Sequence, residues 1–249
     1  MDYQLRIQVY RHTQYVASQT YPNIATTIKY TELDLKTIGP KRGPKPLVTV
    51  LNNDTLDEYV ALLKEGFKPA LLNMASDTTP GGGVQRGCGA QEENIFRRTN
   101  YFMTLNQSFY PLTDADTLYS KNVVFFKSNE ETGYQLITPM KISIIACPSV
   151  KHPPLNQHGE FRNPEDLDLE YRKIVMIFKT AIANGHDSLL LSAFGCGSYR
   201  CPSTQVAELF KRVVGEYGAY FKRIIFAIKQ VPDDPKDNFR IFANVLRIF

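Results

Sequence analysis

From Leu47 onward, short all-apolar runs alternate with longer stretches whose apolar residues recur every three or four positions, the rhythm of strands separated by helices. Residues 47–51 read as a strand, 54–65 as a helix capped by Asp54 or Thr55, and 70–74 as a second strand, which makes a β-α-β unit. The pattern then predicts a helix over about 91–105, a loop over 111–120, a short strand at 123–126, an excursion over 128–138 and a strong strand at 141–147. A long polar, proline-rich loop runs to Asn163. Pro164 suits the first position of a helix over 164–184, closed by Gly185 as its C′ residue. A buried-type strand from Ser188 enters a glycine loop and a helix over about 202–217, and residues 223–229 form the last strand. A turn-rich gap at 232–237 precedes an aromatic and aliphatic tail over 239–249.

Ahead of this core, residues 5–18 fit a helix, 21–35 are too mixed to assign, and the basic run 36–46, with three prolines and two glycines, reads as a loop. The expected organisation is one domain of residues 47–249 with residues 1–46 as an appendage packed on it or extending from it. The chain has 249 residues, 43% hydrophobic and 22% charged, which suits a single good-sized globular unit. A net charge of +4, thinly spread outside residues 36–45, favours anionic small ligands over a nucleic-acid-coating role, so no direct nucleic-acid binding is expected. No apolar run has the length of a membrane span, and residues 1–6 lack the features of a signal peptide, so the expectation is an intracellular monomer, cytoplasmic or nuclear, without membrane contact. Cys88, Cys147, Cys196 and Cys201 lack paired CxxC spacing and read as reduced thiols. His152 and His158 sit in a loop without neighbouring ligand patterns, so no metal and no cofactor are expected.

Two glycine-rich corners carry the chemistry. Residues 81–89 hold five glycines in nine positions and lead into Gln91, Glu92 and Glu93 at a helix start. Glycine there permits positive φ and close approach of a ligand to the main chain. A plain turn followed by an acid-capped helix explains each feature singly. Gly195, Cys196, Gly197, Ser198 and Tyr199 form the second corner, again between a strand and a helix, where converging amides suit a phosphate. Both follow strands in an α/β order, and ligands bind such sheets at the carboxyl edge.

Neither corner matches a Walker loop or a dinucleotide fingerprint, no G-x-S-x-G occurs, and neither Cys88 nor Cys196 has the arginine of a cysteine phosphatase six residues on. What residues 80–93 do resemble is the signature of poly(ADP-ribose) glycohydrolases: Pro80, Gly81, Gly82 and Gly83, seven residues, then Gln91, Glu92 and Glu93. Residues 72–76 and 192–197 are similar to the compact microbial-type branch, and the likeness runs from about Leu47 to Lys229. The resemblance implies a macrodomain-like three-layer α/β/α fold with a mixed central sheet, binding ADP-ribose at its carboxyl edge. The implied activity is hydrolysis of the ribose-ribose O-glycosidic bond of poly(ADP-ribose), mainly from chain ends, with ADP-ribosylated proteins as substrates. A mono-ADP-ribosyl hydrolase, or a non-catalytic reader, is the alternative on the same fold; a scaffold whose glycines only make turns lies outside it.

Carried over by position, the resemblance makes Glu93 the catalytic acid-base and Glu92 the neighbour that holds the ribose hydroxyls. Asn73 is expected to bond the distal ribose, with Gln91 beside it in the substrate-binding set; Gly81, Gly82, Gly83 and Val84 wrap the sugar, and the loop from Gly195 to Tyr199 binds the diphosphate. Tyr199 stands where the family usually has phenylalanine. Arg97 and Arg98 read as surface or intrahelical ion pairs and stay outside the site.

Overall fold

The computed structural model describes residues 1–21, 26–234 and 237–247. Among them, β1 (Thr27–Tyr30), β2 (Leu47–Leu51), β3 (Pro69–Met74), β4 (Thr117–Lys127), β5 (Leu136–Cys147), β6 (Ser188–Leu191) and β7 (Arg223–Ala227) form one sheet in the order β1-β4-β5-β3-β6-β7-β2. The strands from β5 across to β2 are parallel, while β4 and β1 join antiparallel at one edge. The helices are α1 (Tyr3–Thr20), α2 (Thr55–Lys64), α3 (Gln91–Arg98), α4 (Pro164–Ala183), α5 (Ser203–Tyr217) and α6 (Asn238–Leu246).

The strands are apolar on both faces because both faces are covered. In β3, Ala70 and Leu72 point into a core with Phe178 of α4, Phe210 of α5 and Phe242 of α6. Leu71 points the other way, into a core with Tyr10 of α1, Leu56 and Tyr59 of α2 and Phe96 of α3. This period of two splits one strand between two cores and produces the three layers.

Several boundaries differ from the sequence expectation. Residues 117–120 belong to β4 and residues 136–138 to β5, so the expected loop and excursion are shorter. An irregularity in pairing between Ser120 and Val123, with Asn122 at φ 63°, interrupts the alternation and hides the long strand. Helix α3 stops at Arg98 because Thr99 is extended and Asn100 pairs with β4, its amide donating to Val124 O at 3.0 Å and its side chain accepting from Val124 N at 2.7 Å. The unassigned stretch 21–35 contains β1, which pairs with β4; residues 22–25 of that stretch lie outside the described residues. The tail is a helix, α6, although residues 235–236 of the turn-rich gap and 248–249 of the tail also lie outside them.

The largest departure concerns Arg97 and Arg98, both fully buried rather than on the surface. Arg98 crosses from α3 to the start of α2, donating to Asp54 Oδ1 at 2.6 Å and Asp57 Oδ1 at 2.7 Å, and its guanidinium lies over the Phe125 ring at 5.0 Å. Asp54 also caps α2 by accepting from Leu56 N and Asp57 N. Arg97 donates to Cys88 O at 2.7 Å and to the Tyr134 hydroxyl at 3.1 Å. The two arginines thus tie α3 to α2 on one side and to the glycine loop on the other.

Arg98→Ala leaves Asp54 and Asp57 without their shared partner, and the loss of a buried ion pair member is expected to lower unfolding free energy by about 3 kcal/mol. Urea denaturation of the variant checks this; an unchanged midpoint contradicts the bracing role.

Candidate active site

Three loops leave the carboxyl edge of adjacent parallel strands: 75–90 after β3, 148–163 after β5 and 192–202 after β6. They enclose a cleft of about 600 Å³, floored by α3 and walled by the two glycine corners. The sequence had placed the corners far apart; the order β5-β3-β6 makes them neighbours.

Glu92 and Glu93 open α3 but neither caps it. Their side chains are 4% and 7% exposed and accept hydrogen bonds from the loop wrapped over them. Ser76 N donates to Glu92 Oε2 at 2.7 Å, while Gly81 N and Asn73 Nδ2 donate to Glu92 Oε1, both at 3.2 Å. Gly83 N donates to Glu93 Oε1 at 2.9 Å, and Glu93 Oε2 is buried with no partner among the described residues. Burial pushes Glu92 up to about 8, against the bonds from Ser76 and Asn73 and with a contribution from the charge of Glu93. One carboxyl is therefore engaged at both oxygens and favoured in its neutral form, while the other keeps one buried oxygen without a partner among the described residues.

Glycine is required for this arrangement. At Gly82 the backbone has φ 52°, and a Cβ there would lie 2.9 Å from Glu93 Oε1 and 3.0 Å from Glu92 Oε2. Gln91 secures the helix to the strand end from below, accepting from Met74 N at 2.9 Å and donating to Leu72 O at 2.7 Å.

On the opposite wall Gly195 has φ 73°, and a Cβ there would strike the Ser149 side chain. Ser149 Oγ and Val150 N both donate to the fully buried Glu170 of α4, each at 2.8 Å, so α4 sets the height of the loop beneath the second corner. Burial pushes Glu170 up to about 7 despite those two bonds. Tyr199 reaches across to the first corner: its hydroxyl donates to Asp77 Oδ1 at 3.1 Å and accepts from Asp77 N at 3.1 Å. Lys151 Nζ sits 2.9 Å from the same Asp77 oxygen and 5.4 Å from the centre of the Tyr199 ring.

The cleft brings together Gly82, Gly83, Val84, Gln91, Glu92 and Glu93 with Gly195, Gly197, Ser198 and Tyr199. Three expected residues do not line it. Asn73 is fully buried beneath Glu92, and Gly81 is buried against Phe96. Cys196 turns its thiol back to Phe194 O at 3.3 Å, where burial pushes it up to about 12. Sequence reasoning missed Asp77, Ser149, Lys151 and Glu170, which carry no local motif and gain their place from loops and a helix distant in the chain. His152 and His158 are exposed, and no cluster of metal-ligating side chains occurs among the described residues. Nor is any helix among them long and apolar enough to cross a membrane.

A family model described as the microbial-type PARG catalytic domain matches residues 5–128. No curated protein sequence matches the chain. Among solved structures, the poly(ADP-ribose) glycohydrolase of Thermomonospora curvata is 22% identical with a TM-score of 0.81, covering 96% of this chain and 98% of its own. The same enzyme bound to the inhibitor ADP-HPD gives 0.78 at 22% identity, covering 96% of this chain and 98% of its own. The poly(ADP-ribose) glycohydrolase of Deinococcus radiodurans in complex with ADP-ribose gives 0.74 at 23% identity, covering 89% of this chain and 94% of its own. The chain shares their macrodomain-like fold, as the glycine and glutamate signature led us to expect.

Because Glu92 holds its proton up to about pH 8 when folded but releases it near 4.5 in its ordinary state, the folded chain binds the extra proton between these values. The corresponding stability is present below the lower value and is lost as pH rises through the upper one. The melting temperature of wild type is therefore expected to fall more steeply than that of Glu92→Gln between about pH 5 and about pH 9. Parallel curves in differential scanning calorimetry contradict this.

Proposed function

We propose that this chain, whose residues 5–128 match the family model of the microbial-type PARG catalytic domain, is a glycosidase that hydrolyses the ribose-ribose O-glycosidic bond of poly(ADP-ribose) and releases ADP-ribose, mainly from chain ends. The observation that carries the reading is Glu93, a residue lining the cleft of about 600 Å³, with one oxygen fixed by the Gly83 amide and the other buried and unpartnered among the described residues.

The chemistry follows from this geometry. Cleavage of the bond proceeds through an oxocarbenium-like state, so a group must protonate the leaving oxygen and then activate water. Successive residues on a helix point about 100° apart, so Glu92 and Glu93 do not oppose one another across a bond. Glu93 takes both proton-transfer tasks, giving its proton to the departing ribose oxygen and removing one from the attacking water. Glu92 orients the hydroxyls of the distal ribose, itself oriented by Asn73 and by the amides of Ser76 and Gly81. In our reading Gly82, Gly83 and Val84 close over that sugar and Gln91 fixes the floor. The amides of 195–199 receive the diphosphate, whose negative charge lies near the developing positive ring. The Tyr199 ring covers the proximal ribose, and its hydroxyl, absent from the phenylalanine usual in this family, ties the cover to Asp77.

No resident cofactor is invoked. ADP-ribosylated proteins are the natural carriers of such a polymer, and we infer a monomeric intracellular enzyme in which residues 1–46 pack on the catalytic core formed by 47–249 and complete it, β1 extending its sheet and α1 covering one face.

Glu93→Gln is expected to bind ADP-ribose with affinity close to wild type while losing at least about 100-fold in release of ADP-ribose from the polymer, the usual scale for removal of an acid-base group. Calorimetry and chromatographic product assay on the purified variant, with polymer and with a mono-ADP-ribosylated protein in parallel, make the test. Retained turnover on polymer contradicts the assignment; wild-type turnover on the mono-modified protein alone moves the substrate to that class, and binding without any turnover makes the chain a reader.

A further inference from the structure

Arg86 lines the cleft on the same side as Gly83 and is exposed. It ends the short helical turn Val84–Arg86, and a Cβ on Gly83 would lie 3.5 Å from its Nη2. Gly83 is the residue whose amide fixes Glu93. The turn is held from behind: Gly87 follows at φ 77°, packed so closely on the Tyr3 carbonyl of α1 that no side chain fits there. Arg86 is thereby directed to the cleft rather than the core. Among the described residues its guanidinium has no hydrogen bond, ion pair or ring contact.

The other cation lining the cleft is differently placed. Lys151 lies by Tyr199 and is already paired with Asp77, beside the corner whose amides are assigned to the diphosphate of the bound unit. Arg86 stands instead beside the loop that holds the acid-base carboxyl. A polymer of ADP-ribose continues past the bond to be cut, and the part that continues carries its own diphosphate. We propose that Arg86 is a specificity-determining residue that receives the diphosphate of the adjoining ADP-ribose unit on the leaving-group side, so that the cleft selects a polymeric over a neutral leaving group.

This rests on the glycohydrolase reading, and the test separates the two. A planar guanidinium on a phosphate makes a charge-assisted contact that is realised only when a second unit is present. Arg86→Ala is expected to raise KM for poly(ADP-ribose) about tenfold, the scale of one such hydrogen bond. The same variant should keep kcat and the calorimetric Kd for free ADP-ribose within about twofold, and Arg86→Lys should recover part of the KM loss. The slope of log(kcat/KM) against log salt should become shallower by about 1, as one phosphate contact is removed.

Three results overturn the inference. Equal weakening of free ADP-ribose binding would place Arg86 on the inner unit; a fall in kcat at constant KM would make it a regulator of Glu93; unchanged kinetics would leave it a solvated surface arginine. If wild type neither binds ADP-ribose nor cleaves the polymer, the glycohydrolase reading itself has failed and this inference falls with it.

Discussion

The structure depends on hydrogen bonds that run from a loop to the first turn of a helix. Main-chain amides of Ser76, Gly81 and Gly83 donate to Glu92 and Glu93, so the side chains that open α3 hold the loop that covers them. Hydrogen bonds from amides to carboxyl oxygens are directional, and these, shielded from water, are costly to break. They accomplish two things at once: they shape a flexible glycine segment into a wall, and they orient two acids without satisfying the last oxygen of Glu93. A segment with five glycines would otherwise be among the least ordered parts of the chain.

The remaining architecture keeps that arrangement still. Arg98 and Arg97 fasten the far end of α3 to Asp54, Asp57 and Cys88, while Gln91 fastens its near end to β3. Helix α1 adds a further brace, since Arg6 and the N-terminal amine both pair with Glu130 and the Thr13 hydroxyl bonds Arg97 O. Across the cleft, Glu170 holds the Ser149 and Val150 segment, and Tyr199 with Lys151 converges on Asp77. Site residues carried by loops are in this way referred to buried charges on helices, which is what positioning to a fraction of an ångström demands.

Much of this was legible from the chain. The β-α-β rhythm located β2, α2 and β3, the proline and glycine around α4 gave its ends, and the two glycine corners marked the cleft before any coordinates placed them side by side. What escaped notice depends on partners distant in sequence. Arginines in the last turn of a helix normally face water, and only Asp54 and Asp57, some 40 residues away, explain why Arg98 is buried. The start of β4 was hidden by its pairing irregularity, and α3 was drawn too long because periodicity alone does not reveal that Asn100 is captured by β4. The span across the cleft from Tyr199 to Asp77 likewise has no local signal, since 122 residues separate them.

The central claim is that the two glycine corners form one ADP-ribose cleft whose first wall is moulded on Glu92 and Glu93. Calorimetric titration of ADP-ribose into wild type and into Gly82→Val tests it most directly. The expected result is saturable one-to-one binding to wild type and its loss in the variant, with the fold retained by circular dichroism, because the valine side chain displaces the loop from both carboxyl groups. Absence of heat with wild type, or undiminished affinity in Gly82→Val, would contradict it.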